Sequence, residues 1–231
     1  MPREPTMKGG RRTGSVMSIL GLFLAVFARA GQTPFPPAAD LSDYVKVSTG
    51  AGISVDLKYS GVNNFTGEDL YGDFNDCYLR PEAAAMVRRA AALLQDERPG
   101  WSLVLYDCLR PLSVQRRLWA KVEGTAREPF VADPRKRSLH NYGLAVDISL
   151  LDEEGRPVDM GTPFDYFSYR SETLRERSLV RRGKLTSDQV KNRRLLRKVM
   201  RQAGFLRVPF EWWHFNAMTR AQVHRRYRPL K

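Results

Sequence analysis

The stretch Ser138–Leu151, "SLHNYGLAVDISLL", sets one of the chain's three histidines, His140, seven residues ahead of Asp147, with Gly143 between them. Leu144–Leu151 is strongly apolar and reads as a core strand, which Asp152–Gly155 then turns. His140 stands on the approach to that strand, so a turn at Gly143 would let a loop histidine and a strand aspartate converge. Two readings fit these residues: a turn feeding a core strand, and part of a metal site. Single histidines and strand aspartates fill structural roles more often than metal shells, so the stretch alone does not decide.

On either side, strands are separated by helices and long loops. "ISVDLKYS" (Ile53–Ser60) alternates apolar and polar residues as a half-buried strand should, and the Asn/Gly/Asp-rich segment Gly61–Asp76 reads as a long loop. Pro81, with Glu82 beside it, opens an Ala/Leu-rich helix to Glu97 that Pro99-Gly100 stops. Trp101–Leu109 reads as a strand and Ser113–Glu123 as a short amphipathic helix. Thr186 and Gln189 form a capping box for a basic helix reaching Ala203, with Gly204 as its stop. Phe205–Phe215 reads as a last strand, while Ser171–Thr186 is a basic loop with no assigned role. The organisation is α+β.

At 231 residues and 42% hydrophobic, the chain can bury a sizeable core in one domain. Its first forty residues stand apart: basic "MKGGRRTG" leads into the apolar run Ser15–Ala28 and the small-residue site Ala28-Arg29-Ala30, with the Pro/Ala-rich residues 31–40 after it. That order predicts a signal peptide over 1–30 and export to the periplasm or beyond, with 31–43 as a leader and 44–231 as the working domain. The apolar run is short for a transmembrane helix, so no stable membrane span is expected after cleavage. Cys77 and Cys108 permit one disulfide in an oxidising compartment and two buried thiols in a reducing one.

The net charge of +13 becomes +9 once residues 1–30, with five Lys/Arg and one Glu, are removed. The cations gather between Arg170 and Arg201 and in the tail "HRRYRPLK", without the interleaved aromatics of a base-stacking surface. Nucleic acid is therefore not an expected partner; a solvated basic face, or contact with anionic cell-wall polymer, is.

Two more places carry chemistry. In Glu211-Trp212-Trp213-His214 a carboxylate and an imidazole stand three apart inside an aromatic block, and on an ideal strand they would face opposite sides. A shared site there demands a bulge, a twist or a turn. With His140 and Asp147, His214 would complete two imidazoles and one carboxylate, the inventory of a catalytic zinc that leaves a position for water, and Glu211 would remain as a base. In "YDCLRP", Arg110 ends a strand just before Pro111 and offers a permanent positive charge for an oxyanion, although strand-end arginines are usually surface residues.

In their order, "YDCLRP", "SLHNYGLAVD" and "EWWH" resemble the motifs of the VanX-type D-alanyl-D-alanine dipeptidases of the zinc D,D-peptidase family. "FTGEDLYG", "RPLSVQ" and "MGTPFD" add to the likeness, which runs from about Tyr44 to about Tyr227. The resemblance implies a single domain of the hedgehog/D,D-peptidase-like zinc fold, with a central, mainly antiparallel sheet flanked by helices. It implies one zinc ion on His140, Asp147 and His214, Glu211 as catalytic acid/base and Arg110 as transition-state stabiliser. Ser138 and Asp165 match positions that hold the dipeptide's amino group, in a small cavity that admits D-Ala-D-Ala.

The signal-like N-terminus departs from the best-known resistance enzymes, and points to wall-derived dipeptide rather than a cytoplasmic pool. Rival readings are a D,D-carboxypeptidase or endopeptidase acting on longer wall peptides, and a non-catalytic wall-binding module. An intact Glu211 argues against the module, since a binder needs no base.

Overall fold

The computed structural model describes residues 40–231; the expected signal peptide and residues 31–39 of the leader lie outside the described residues. In chain order the elements are β1 (Val45–Val47), β2 (Ile53–Val55), β3 (Cys77–Leu79), α1 (Pro81–Glu97), β4 (Ser102–Asp107), α2 (Leu112–Ala120), β5 (Ala145–Leu151), α3 (Glu176–Arg181), α4 (Ser187–Gln202), β6 (Leu206–Arg207), β7 (His214–Asn216) and α5 (Arg220–Arg226). Among the described residues no helix is long and apolar enough to cross a membrane.

The core strand expected at Leu144–Leu151 forms as β5, in the middle of a sheet ordered β2-β4-β5-β7-β6. Only the β2–β4 pair is parallel, so the sheet is mainly antiparallel. Residues 145–150 are buried on both faces, which is why the run is apolar almost throughout. Val146, Ile148 and Leu150 enter a core shared with Val87 and Leu94 of α1 and Leu196, Val199 and Met200 of α4. With a side-chain period of two, Asp147 and Ser149 must project from the opposite face.

The helices form for reasons visible in their residues. α1 starts at Pro81 and buries Ala83, Ala84, Val87, Ala90, Ala91 and Leu94, a helical stripe of mostly small side chains. α4 starts at the anticipated capping box, with the Thr186 hydroxyl accepting from Gln189 N (3.1 Å) and the Gln189 side chain accepting from Thr186 N (2.8 Å). A second cluster of Tyr59, Leu70, Tyr71, Val114, Leu118 and Val122 packs α2 against the long loop after β2. A small antiparallel pair, β1 with β3, is joined to the end of β4 by a disulfide between Cys77 and Cys108.

Three expectations are corrected. The strand at Ile53–Ser60 stops at Val55, and Lys58–Ser60 forms a 3-10 turn. There the Tyr59 carbonyl turns to accept from Leu70 N (2.9 Å) and Tyr71 N (3.0 Å), anchoring the loop instead of extending the ladder. The strand at Phe205–Phe215 is broken into β6 and β7. Pro209 in the gap has no N–H for a ladder, and its carbonyl accepts from Thr173 N at 2.8 Å. The basic loop Ser171–Thr186 contains α3, whose Glu176 is buried and bonds Arg197 through both oxygens at 2.8 Å.

Candidate metal centre and catalytic cleft

The His140 segment is shaped by local hydrogen bonds. Residues 139–142 form a 3-10 turn in which the Ser138 hydroxyl accepts from His140 N (3.3 Å) and the Asn141 side chain accepts from Ser138 N (2.8 Å). Asn141 also donates to the Arg110 carbonyl (2.7 Å), and Arg110 N donates to the His140 carbonyl (3.0 Å), so the turn and the end of β4 hold one another. Gly143 ends the turn at φ 66°, and a Cβ there would lie 2.9 Å from the Tyr44 ring. Both conformation and space require glycine.

Sheet register supplies the other two candidate ligands. Asp147 of β5 lies directly opposite His214 of β7, so the two side chains share a face as cross-strand neighbours. His140 Nε2 is 3.2 Å from His214 Nδ1, His214 Nδ1 is 2.9 Å from Asp147 Oδ1, and His140 Nε2 is 3.4 Å from the same oxygen. Each ring has an outward acceptor for its other nitrogen: the Cys108 carbonyl for His140 Nδ1 (2.7 Å) and Asn216 Oδ1 for His214 Nε2 (2.9 Å). Both rings can therefore turn an unprotonated nitrogen inward, towards a carboxylate.

Three such donor atoms within 4.8 Å of one another repel unless a cation lies among them, so this group fits a divalent metal ion. Burial works against the Asp147 charge, but where His140 and His214 turn N–H groups towards it in place of a cation they outweigh burial and hold its carboxyl far below the usual carboxylate range.

Arg110 is buried, not a surface residue. Its Nε bonds Asp107 Oδ2 at 2.8 Å, its Nη2 bonds the same oxygen, and its Nη1 donates to Gln115 Oε1 at 2.9 Å. Asp107 is fixed in turn by the Tyr71 hydroxyl (2.6 Å) and Cys108 N (3.0 Å). A register shift between Leu105 and Asp107 at the end of β4 sets Asp107 opposite Asp147, and Arg110 Nη2 lies 3.6 Å from Asp147 Oδ2.

Glu211 falls in the break between β6 and β7, the departure from an ideal strand that a shared site with His214 required. Burial, reinforced by the negative charges of Asp147 and Asp165, lifts its pKa to about 8 against the opposing pull of His214 and Arg110. Asp165 sits at φ 55°, a conformation non-glycine residues seldom adopt, and accepts from the Tyr59 hydroxyl at 2.7 Å. Burial pushes its pKa well above the usual range, and Asp147 adds to the rise.

All seven residues singled out in the sequence line one cavity of about 410 Å³: Arg110, Ser138, His140, Asp147, Asp165, Glu211 and His214. That volume lies at the lower end of the range for small-molecule sites. Sequence reasoning missed Tyr59, Asp107 and Gln115. Asp107 and Gln115 lay inside the quoted "YDCLRP" and "RPLSVQ", where a carboxylate and an amide three and five residues from Arg110 were the available signal. Nothing local to Tyr59 marked it. His224, in α5, is exposed with its ring against Tyr142 and stands apart from the cavity lining.

Residues 38–230 match the family model described as D-ala-D-ala dipeptidase. A D-alanyl-D-alanine dipeptidase of Escherichia coli (strain K12) is 32% identical over 163 residues, 71% of this chain and 78% of that protein. One from Synechocystis is 32% identical over 169 residues, 60% of this chain and 68% of that protein. One from Enterococcus faecalis is 28% identical over 180 residues, 71% of this chain and 85% of that protein.

Proposed function

Since this chain belongs to the D-ala-D-ala dipeptidase family, we propose that it hydrolyses the D-Ala-D-Ala dipeptide to two D-alanines, with zinc held by His140, Asp147 and His214. The observation that carries this reading is the convergence of those three donors in a cavity that Glu211 and Arg110 also line. Two imidazoles and one carboxylate suit zinc, and when bound the ion supplies Lewis acidity that polarises a carbonyl and lowers the pKa of water to about 7.

The chain's own residues do the rest. Glu211, on the same cavity wall as the three donors, takes a proton from the attacking water and passes it to the nitrogen of the departing D-alanine. Arg110, locked by Asp107 and Gln115, keeps a fixed positive charge for the oxygen that becomes anionic in the tetrahedral state. Asp165, with Tyr59 bonded to it and Ser138 on the same cavity wall, receives the substrate's ammonium group. Burial disfavours the Asp165 charge in the empty site, and an ammonium partner restores it, so the carboxylate form is favoured by the correct substrate.

Export completes the reading. The signal-like residues 1–30 and the Cys77–Cys108 disulfide both fit an oxidising compartment, outside the cytoplasm, where the substrate would be wall-derived dipeptide. Exposed Arg177, Arg181, Arg194 and Arg201 on α3 and α4 suit contact with anionic cell-wall polymer.

The test is metal analysis of the purified protein together with D-alanine release from D-Ala-D-Ala, with and without chelator. Stoichiometric zinc and chelator-sensitive release are expected. Glu211→Ala should keep the metal and lose nearly all turnover, and an active variant overturns the assignment. An acylated tripeptide ending in D-Ala-D-Ala should be refused, because it offers no ammonium to Asp165; efficient cleavage would instead make the protein a D,D-carboxypeptidase.

A further inference from the structure

Arg193 of α4 is fully buried, yet among the described residues it has no carboxylate within ion-pair distance. Glu176, whose charge it feels, is bonded through both oxygens by Arg197. A buried cation without an ionic partner is costly, so what it does hold is informative. Its Nε donates to the Met160 carbonyl (2.7 Å), its Nη1 to the Arg170 carbonyl (3.0 Å) and its Nη2 to the Thr162 hydroxyl (3.3 Å). Met160 and Arg170 are the two ends of a loop, and Asp165 stands midway between them in its left-handed conformation.

The hydroxyls in that loop have a determined direction. Trp212 Nε1 also donates to the Thr162 hydroxyl (2.8 Å), and indole and guanidinium nitrogens can only donate. Thr162 must therefore give its proton to the Ser171 hydroxyl (3.3 Å), which donates onward to the Tyr166 carbonyl (2.6 Å), beside Asp165. One chain thus runs from Arg193 and Trp212 through Thr162 and Ser171 to the residue next to Asp165. Trp212 adjoins Glu211, so the same hydroxyl ties the Asp165 loop to the segment carrying the base. From the same face of α4, Gln189 and Asn192 grip Asp159 at 2.9 Å each.

We propose that Arg193 is a positioning residue for substrate recognition: it fixes, through the Thr162–Ser171–Tyr166 chain, where Asp165 meets the dipeptide's ammonium group. This rests on the reading of Asp165 given above. The experiment compares Arg193→Lys, Thr162→Val, Asp165→Asn and the Arg193→Lys/Asp165→Asn double variant for zinc content, kcat and KM on D-Ala-D-Ala. Arg193→Lys loses the two-ended grip and should raise KM about tenfold, one misplaced charge-assisted contact, with kcat within about threefold and zinc unchanged. On the Asp165→Asn background it should add no further rise, because both act through one contact. Thr162→Val should behave in the same way, and it carries the test if Arg193→Lys does not fold. A KM rise that adds in full to that of Asp165→Asn, or a loss confined to kcat and zinc content, overturns the proposal. Asp165→Asn raising KM while Arg193→Lys and Thr162→Val do not overturns it alone; Asp165→Asn leaving KM unchanged overturns the amine reading and the proposal together.

Discussion

Asp107→Asn should be among the most damaging single changes outside the candidate ligands. The carboxylate is fully buried and receives the Arg110 guanidinium on Oδ2 through two N–H groups. Asparagine can still accept from Tyr71 and Cys108 N through one oxygen, but it sets an NH₂ against the guanidinium, donor against donor. A buried ion pair broken on one side costs about 3–5 kcal/mol, because the remaining charge stays uncompensated. The retained bond to Gln115 Oε1 places the loss at the low end, about 3 kcal/mol.

Among the described residues, Arg110 then has one other anion in reach, Asp147 Oδ2 at 3.6 Å. Moving towards it takes the guanidinium off its aim and competes for a candidate metal ligand. A displacement of about 1 Å in such a group is worth roughly a hundredfold in kcat/KM. Denaturant unfolding and D-alanine release on the same preparations measure both losses. Adding Arg110→Met to Asp107→Asn removes the orphaned charge, so the double variant should regain stability while staying inactive. An Asp107→Asn protein that unfolds with the wild type and keeps kcat/KM within about threefold would refute the view that this pair aims Arg110.

Other expectations follow from the same geometry. In chelated protein, Glu211 has a folded pKa of about 8 against an ordinary 4.5, so the folded state keeps a proton that the unfolded chain releases; its stabilising contribution is complete below about pH 4.5 and lost as pH rises through 8. Metal-free Glu211→Gln should therefore gain on the wild type across that window in denaturation at several pH values, and a pH-independent difference would count against a half-buried, protonated Glu211. Removing the disulfide with Cys77→Ser and Cys108→Ser opens a link spanning 31 residues and should cost about 3–4 kcal/mol. It should also weaken zinc affinity by about tenfold, since the Cys108 carbonyl orients His140, and unchanged affinity in a chelator competition would show the carbonyl is held without the disulfide. Gly143→Ala combines a left-handed φ with a 2.9 Å contact to Tyr44, and its zinc content should fall with its melting temperature.

How much of this was legible beforehand depends on whether the determining interaction was local. β5, α1 and α4 were read with nearly their observed bounds, because an apolar run, a Pro at the first turn and a capping box are written within a few residues. The turn at Gly143 was legible for the same reason. β1, β3 and α3 were not. They have three, three and six residues, and what holds them lies outside their own sequence: β1 and β3 pair with each other and pack into the core beside α1, while α3 packs Leu179 on Leu185 and Val190 and pairs Glu176 with Arg197.

The site divides in the same way. Its residue types and their order could be recognised, but the meeting of Asp147 with His214, 67 residues apart, is a fact of strand register. A slip of one residue would turn His214 to the other face and leave Asp147 opposite an apolar neighbour. The break at Val208–Trp213 protects that register: it takes Pro209 out of the ladder, delivers Glu211 to the cavity and sends Trp212 to Thr162, before β7 resumes opposite Asp147. The irregular segment therefore joins two roles that the sequence shows only as adjacent letters, placing the proposed base and leading into the strand that presents the neighbouring candidate ligand.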